Sequence, residues 1–201
     1  MIDFPDYYIA TNKAYATLIK YKVFSFPISP KIIIRQLSNV AIHTYSDLAK
    51  RMGISREVFL DYLSSSEHGF TARQGDKYAV FYNEQKDDTT IRFTLAHELG
   101  HIILGHIEDG KRENKEANCF ARNLLCPVPI IKEMNIQTEK EYTEAFNISE
   151  PMAYCAIQNL KSDFYYITKE NYNIYNDKVY SHYTGMSFAE MYSVSIEAAY
   201  Y

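Results

Sequence analysis

Apolar positions along the chain recur mostly at the spacing of an α-helix. Residues 6–22 place tyrosine, alanine and isoleucine where one face of an amphipathic helix would lie, and ISPKIIIRQLSN predicts the start of a second helix. The segment TYSDLAKRMGISREVFLDYLSS predicts two short helices separated by Gly53. By contrast, the β-rich residues 78–82 follow a Gly-Asp turn, which predicts a hairpin. The pattern therefore predicts a mostly helical α+β fold with a small antiparallel sheet.

The segment FTLAHELGHIILGH, residues 93–106, has the least ordinary pattern. A helix is predicted from about residue 91 to residue 104, capped by Thr89 or Thr90 and ended by Gly105. This helix is apolar nearly all round, so it should be central in the fold. It nevertheless carries two histidines and a glutamate, and a third histidine follows it, out of six histidines in the whole chain.

His97 and His101 are four residues apart, so their imidazoles should stand on one face of the predicted helix. Two imidazoles at this spacing can share a zinc ion, and Glu98 lies roughly 100° round the helix, beside such a site, where it can act as a base. The alternative is a core helix whose histidines bond to backbone carbonyls. Burying these polar groups without partners would be costly, so the pattern favours the metal site. Gly100 should also let another backbone approach closely.

Charge and composition narrow the remaining possibilities. A net charge of −4 and the lack of a basic cluster argue against direct nucleic-acid binding, so the two short helices around Gly53 are interpreted as packed scaffold rather than a DNA reader. Three cysteines without close pairs predict reduced thiols, with Cys119 and Cys126 in the core. Since neither a secretory signal nor a membrane-spanning apolar run is evident, a cytoplasmic protein is expected.

Two motifs in order carry a family resemblance. RFTLAHELGHIILGH followed by EANCFARNLLCP resembles the ImmA/IrrE family of zinc metallopeptidases, whose members carry an HELGH helix and then a helix of the form A-N-x-F-A-x-x-L-L-x-P. The resemblance covers about residues 25–165 and implies a gluzincin-like metallopeptidase domain. Residues 1–24 are then expected to form an N-terminal helical extension, and residues 166–201 a loosely packed, tyrosine-rich C-terminal tail.

The resemblance also implies a third zinc ligand, a glutamate on the second helix, three residues before the alanine of A-N. This chain departs from that pattern, because Asn114 occupies the position. Glu113 is the first candidate for the missing carboxylate, since it should share a helix face with Ala117. Glu116 is the second candidate, although helical spacing directs it toward solvent.

Two further side chains are expected to support the site without holding the metal. Asn118 could fix a zinc-bound imidazole in the correct tautomer, and His106 could take a similar or a purely structural role. A tyrosine or histidine opposite the zinc should stabilise the transition state, but with nineteen tyrosines the sequence does not identify it.

The functional expectation is a Zn2+-dependent endopeptidase in which His97 and His101 hold the metal and Glu98 is the base. By resemblance, its substrate is expected to be a protein, a helix-turn-helix repressor or another regulator of a mobile element or prophage. The alternative is a catalytically weak or inactive protein of the same fold that regulates a repressor by binding it. The asparagine at position 114 motivates that alternative.

Overall fold

A computed structural model describes residues 4–62, 66–183 and 190 of the chain. Helices in the first half of this part are α1 (Tyr7–Lys20), α2 (Pro30–Arg35), α3 (Tyr45–Met52), α4 (Arg56–Tyr62) and α5 (Asp88–Leu104). Helices in the second half are α6 (Lys111–Leu125), α7 (Val128–Glu133), α8 (Glu139–Phe146), α9 (Glu150–Tyr166) and α10 (Lys169–His182). Strands are β1 (Val40–Thr44), β2 (Gly69–Gln74) and β3 (Lys77–Tyr82). The fold is therefore mostly helical α+β, as the sequence predicted.

The three strands form one sheet in the order β1-β3-β2. Strands β2 and β3 are the predicted antiparallel hairpin, closed by a turn in which Gly75 has a φ of +63°. Strand β1 pairs with β3 in parallel, with Val40 opposite Tyr78, so the prediction of a purely antiparallel sheet was wrong for this strand. Strand β2 lies at the edge of the sheet and contacts α5.

Helices α5 and α6 form a tightly packed helical hairpin at the centre of the domain. A Cβ atom on Gly100 would lie 3.2 Å from the Cα of Ala117 and 3.1 Å from Cδ1 of Phe120, which is closer than Cβ atoms normally approach, so a side chain here would push the two helices apart. The close backbone contact expected at Gly100 is thus confirmed. Helix α1 packs against α6, with Ala14 and Tyr15 fully buried. Within the described part of the chain, no helix combines the length and apolarity needed to cross a membrane.

The start of α5 differs from the sequence prediction. Asp87, rather than Thr89 or Thr90, is the N-cap: its Oδ1 accepts a hydrogen bond of 2.9 Å from the backbone N–H of Thr90. The hydroxyls of both threonines also donate to this carboxylate. A carboxylate that gathers three donors caps better than a threonine hydroxyl, so the helix begins three residues earlier than predicted. Gly105, with a φ of +75°, ends it as predicted.

The C-terminal region was also predicted incorrectly in part. Residues 169–182 form α10, which packs against α1 and α7 and fully buries Tyr175 and Val179. These residues are therefore not a loosely packed tail; the remainder of that predicted segment, residues 184–189 and 191–201, lies outside the described residues. Helices α3 and α4 pack around a small second core that includes Tyr45 and Phe59, which confirms their interpretation as packed helices.

Candidate metal centre

A cavity of about 470 Å3 opens between α5, β2 and the loop that joins α5 to α6. Helix α5 contributes His97, Glu98 and His101 to its wall. Strand β2, the α5–α6 loop and helix α6 supply other polar lining residues, which include Thr71, Arg73, His106, Asp109 and Asn114. The residues of the HELGH motif therefore face a common solvent-accessible space.

The two motif histidines point their Nε2 atoms at each other across 3.0 Å. Two nitrogen ligands of a tetrahedral zinc ion lie roughly 3.3 Å apart, so this pair fits a zinc ion with little adjustment. The opposite ring nitrogens are already engaged: Nδ1 of His97 lies 2.9 Å from Oδ1 of Asn118, and Nδ1 of His101 lies 3.1 Å from Nδ1 of His106. Both Nε2 atoms are thus directed to one point. The amide oxygen of Asn118 can only accept a hydrogen bond, so Nδ1 of His97 must carry the proton.

The surroundings of the two histidines favour their neutral forms. Burial lowers the pKa of His97 below its ordinary value, although hydrogen bonding to Asn118 opposes this effect. Burial, followed by the charges of His97 and His106, lowers the pKa of His101 to about 4. Metal binding needs an unprotonated Nε2, so these shifts reduce competition from protons at neutral pH.

Behind His101 a chain of hydrogen bonds runs away from the cavity. Nε2 of His106 lies 2.9 Å from Oε2 of Glu116, whose Oε1 accepts from Nε of Arg112 at 2.9 Å and from the backbone N–H of Asp6 at 2.7 Å. The carboxylate can only accept, so His106 donates to it through Nε2 and accepts at Nδ1 from His101. That leaves Nε2 of His101 free for a metal. This chain fixes the tautomer that a metal ligand needs.

The structure corrects the orientation predicted for Glu116. It is buried rather than directed to solvent, because three donors converge on its carboxylate. Although burial raises the pKa of Glu116, these hydrogen bonds hold it below its usual value. Its carboxylate contacts His106, Arg112 and the backbone of Asp6, and the structure shows no contact between it and His97 or His101 among the described residues.

Glu113 is also absent from the cavity. It lies in a separate groove that includes Asp6, Arg112 and Glu116. The prediction of Glu113 as a ligand rested on the apolar face of α6, and the structure places Glu113 away from the histidine pair. Asn114 lines the cavity instead. Among the described residues, no three His, Cys, Asp or Glu side chains lie close enough together to hold a metal ion.

Glu98 is buried beside the histidine pair, where its Oε2 accepts a hydrogen bond of 2.7 Å from the hydroxyl of Thr71. Burial raises the pKa of Glu98 to about 7; the Thr71 hydrogen bond lowers it, and the charge of Asp109 raises it further. A carboxyl group with a pKa near neutrality is suited to accept a proton during a reaction and return it.

Several lining residues were not singled out from the sequence. Thr71 and Arg73 are on β2, and Tyr78 is on β3, where Arg73 lies over its ring at 5.4 Å from the centroid. Asp109 lies in the α5–α6 loop. The hairpin was predicted, but the face it presents to the helix depends on tertiary packing. His68 and Tyr78 are the cavity residues of the type expected for a transition-state stabiliser.

Comparison with known proteins supplies the family. Searches for similar curated proteins and for similar solved structures gave no significant match. The family described as Peptidase_M78, IrrE N-terminal-like domain, matches residues 58–201, which is more than half of the chain. This match begins later than the resemblance seen in the sequence and extends to the last residue, through the predicted tail. The chain therefore belongs to the ImmA/IrrE-like Peptidase_M78 family, a family of metallopeptidase type.

Proposed function

We propose that the protein is a zinc-dependent endopeptidase whose metal is held by His97 and His101 and whose general base is Glu98. Family membership indicates a metallopeptidase-type hydrolase. The observation that carries the assignment to these residues is the convergence of two Nε2 atoms at 3.0 Å in a cavity shared with a buried carboxyl group. Histidines that only packed the scaffold would not both need a hydrogen bond at Nδ1 that turns Nε2 toward the cavity.

A zinc ion in this position supplies Lewis-acid polarisation of a substrate carbonyl and of water. Glu98 accepts the proton of the attacking water and passes it to the leaving amine. The Thr71 hydroxyl holds one oxygen of Glu98, which leaves the other oxygen directed to the cavity for proton transfer.

Two hydrogen-bonded partners orient the histidines. Asn118 accepts from Nδ1 of His97, and His106, itself held by Glu116, accepts from Nδ1 of His101. Each partner fixes one tautomer and one ring angle. Asn118 and His106 therefore belong to the proposed site as positioning residues, and Glu116 joins them in place of its earlier assignment as a ligand.

The edge of the sheet offers a place for a polypeptide. Residues 69–71 and Arg73 of β2 line the cavity, and within the described part of the chain β2 has a neighbouring strand on one side only. An extended peptide can pair with such an edge and bring its backbone carbonyl to the histidine pair. A protein substrate follows from this geometry. By resemblance to the family we propose a helix-turn-helix repressor, or another regulator of a mobile element or prophage.

The test is cleavage of candidate repressors encoded beside the protein. We expect fragments with wild type and zinc, and no fragments with a chelator or with Glu98→Gln, which should keep its metal. Glu113→Gln is the matched control, because Glu113 lies outside the cavity. Unchanged cleavage by Glu98→Gln would remove the proposed mechanism.

A second function is favoured by one observation, the asparagine at the position of the family's third ligand. A protein of this fold with a weak metal site could regulate a repressor by binding without hydrolysis. Chelator-insensitive binding without fragments in the same experiment would support it over the peptidase.

A further inference from the structure

Asn114 and Asn118 occupy equivalent positions on successive turns of α6. Helices α5 and α6 run antiparallel, because a short loop joins them and they pack along their length. Asn118 contacts His97. The residue one turn before Asn118 on α6 therefore lies opposite the residue one turn after His97 on α5. This places Asn114 beside His101. Both asparagines line the same cavity as the two histidines.

The orientation of the Asn114 amide is fixed by its partners. Its Nδ2 donates to Oδ1 of Asp109 at 2.6 Å and to the backbone carbonyl of Gly110 at 2.9 Å. Both partners are acceptors, so the nitrogen must occupy this side and both of its hydrogens are used. The amide oxygen is left for the cavity.

We propose that Asn114 Oδ1 is the third protein ligand of the metal, and that Asp109 is the positioning residue that orients and polarises its amide. The proposal rests on the proposed function, since it assigns a further ligand to the same site. It accounts for a site that has two converging imidazoles but no third His, Cys, Asp or Glu side chain within reach among the described residues.

The chemistry of such a ligand is specific. A neutral amide oxygen leaves the full charge of the ion uncompensated, whereas the glutamate that the family pattern places here would neutralise part of it. Hydrogen bonding of the amide N–H to a carboxylate increases the negative charge on the amide oxygen. The arrangement Asp109–Asn114–metal thus resembles the carboxylate–histidine–metal arrangement of many zinc sites. Zinc binding should consequently be weaker than with a carboxylate ligand.

The competing assignments differ in geometry. Glu113 lies in a separate groove, and the oxygens of Glu116 are taken by three donors. Asp109 is exposed in the α5–α6 loop and also lines the cavity. Its Oδ1 instead accepts the hydrogen bond from Nδ2 of Asn114, so the carboxylate contacts the nitrogen side of the amide.

Zinc affinity by competition with a chromophoric chelator tests the proposal, using the full chain with Asn114→Ala, Asn114→Glu, Asp109→Ala and the control Glu113→Ala. The spectrum of the cobalt-substituted protein gives a second readout of the number and type of ligands. We expect Asn114→Ala to weaken zinc binding by at least about tenfold and Asn114→Glu to strengthen it by about tenfold or more, while Asp109→Ala weakens it by a smaller factor. Glu113→Ala should match wild type.

Tight zinc binding by wild type together with unchanged affinity in Asn114→Ala would overturn the proposal and leave the proposed function standing. A larger loss in Asp109→Ala than in Asn114→Ala would also overturn it, because the carboxylate would then be the ligand. A wild type that binds no zinc would overturn both. Because Asn114→Glu restores a side chain of the family's type, a gain in affinity shows that the position reaches the metal even if Asn114→Ala folds poorly.

Discussion

Replacing Glu116 with glutamine tests the hydrogen-bond chain behind His101. The carboxylate receives donors from three directions, at 2.7 Å from the backbone of Asp6 and at 2.9 Å from Arg112 and from His106. A glutamine of the same size has one acceptor oxygen and one NH2 group. If the oxygen stays with Asp6 and Arg112, the NH2 group meets His106 and forces its proton onto Nδ1. His106 then presents its Nδ1–H to Nδ1 of His101. When Nε2 of His101 binds a metal, Nδ1 of His101 must also carry a proton, so two donors face each other.

The size of the effect follows from the contacts. Either orientation of the glutamine leaves at least one buried donor without an acceptor, which costs about 1–3 kcal/mol of folding stability. Because the side chain of Glu116 is only 8% exposed, water cannot readily replace the lost partner. The two facing donors also remove the hydrogen bond that His106 accepts from His101. Loss of such a hydrogen-bond partner of a metal ligand lowers metal affinity by about 10–100-fold.

Zinc affinity and the free energy of unfolding are the two measurements, made on Glu116→Gln and on the control Glu113→Gln. The control is on the same helix but lies outside the cavity, so it should change neither quantity by much. We expect Glu116→Gln to lose zinc affinity beyond its loss of stability, and Glu116→Ala to lose more stability still. Wild-type zinc affinity in Glu116→Gln would refute the tautomer argument, and reduced zinc affinity in Glu113→Gln would return Glu113 to the ligand set.

Three further predictions concern the rest of the domain and its pH dependence. Tyr15→Phe should destabilise the protein by about 1–3 kcal/mol, because the Tyr15 hydroxyl accepts from the backbone N–H of Val128 at 2.8 Å. The ring of Tyr175 is equally buried, and its centroid lies 5.7 Å from that of Tyr15. Tyr175→Phe should leave the stability unchanged or raise it, because the Tyr175 hydroxyl has no partner among the described residues. Equal losses of unfolding free energy in the two variants, measured by chemical denaturation, would contradict both predictions. A thiol reagent should label one cysteine, the exposed Cys155, in the folded protein and three after denaturation, because burial raises the pKa of the other two thiols; rapid labelling of more than one would show that the core is open. Zinc affinity should fall only gently between pH 7 and pH 5, because burial lowers the pKa of His97 and lowers that of His101 to about 4, which reduces competition from protons; a steep loss beginning near pH 6.5 would contradict this.

The elements that could be predicted from the sequence are those with local causes. The α5 helix, its end at Gly105 and the need for glycine at position 100 follow from periodicity and from one backbone conformation. The hairpin follows from its turn and alternating residues. The contact between Asn118 and His97 required only the family motif and the logic of metal-site tautomers. Each of these rests on a local pattern or on two neighbouring motifs of the chain.

The features that were missed depend on residues far apart in sequence. Glu116 is buried because the backbone of Asp6, 110 residues earlier, donates to it, and no periodicity of α6 shows this contact. Strand β1 pairs with β3 in parallel across two intervening helices. Helix α10 has a polar, tyrosine-rich sequence whose burial is limited to Tyr175 and Val179, so its amphipathic signal is weak. Tertiary contacts decided all three.

The side of α6 that borders the cavity shows the same limit. Its apolar residues define the face that enters the core, and Glu113 was assigned to the site on that basis. The polar cavity is bordered by a different side, which carries Asn114 and Asn118. A helix that contacts both a core and a site has two functional faces, and the hydrophobic pattern reports only one of them.

Zinc content tests the central claim most directly. Protein purified without chelator should contain about one zinc per chain by elemental analysis, because the Nε2 atoms of His97 and His101 converge at 3.0 Å with their tautomers fixed from behind. Glu98→Gln should retain that zinc, whereas His101→Ala should lose most of it while remaining folded. Equal metal content in wild type and His101→Ala, or no zinc in either protein even after incubation with excess zinc, would contradict the account.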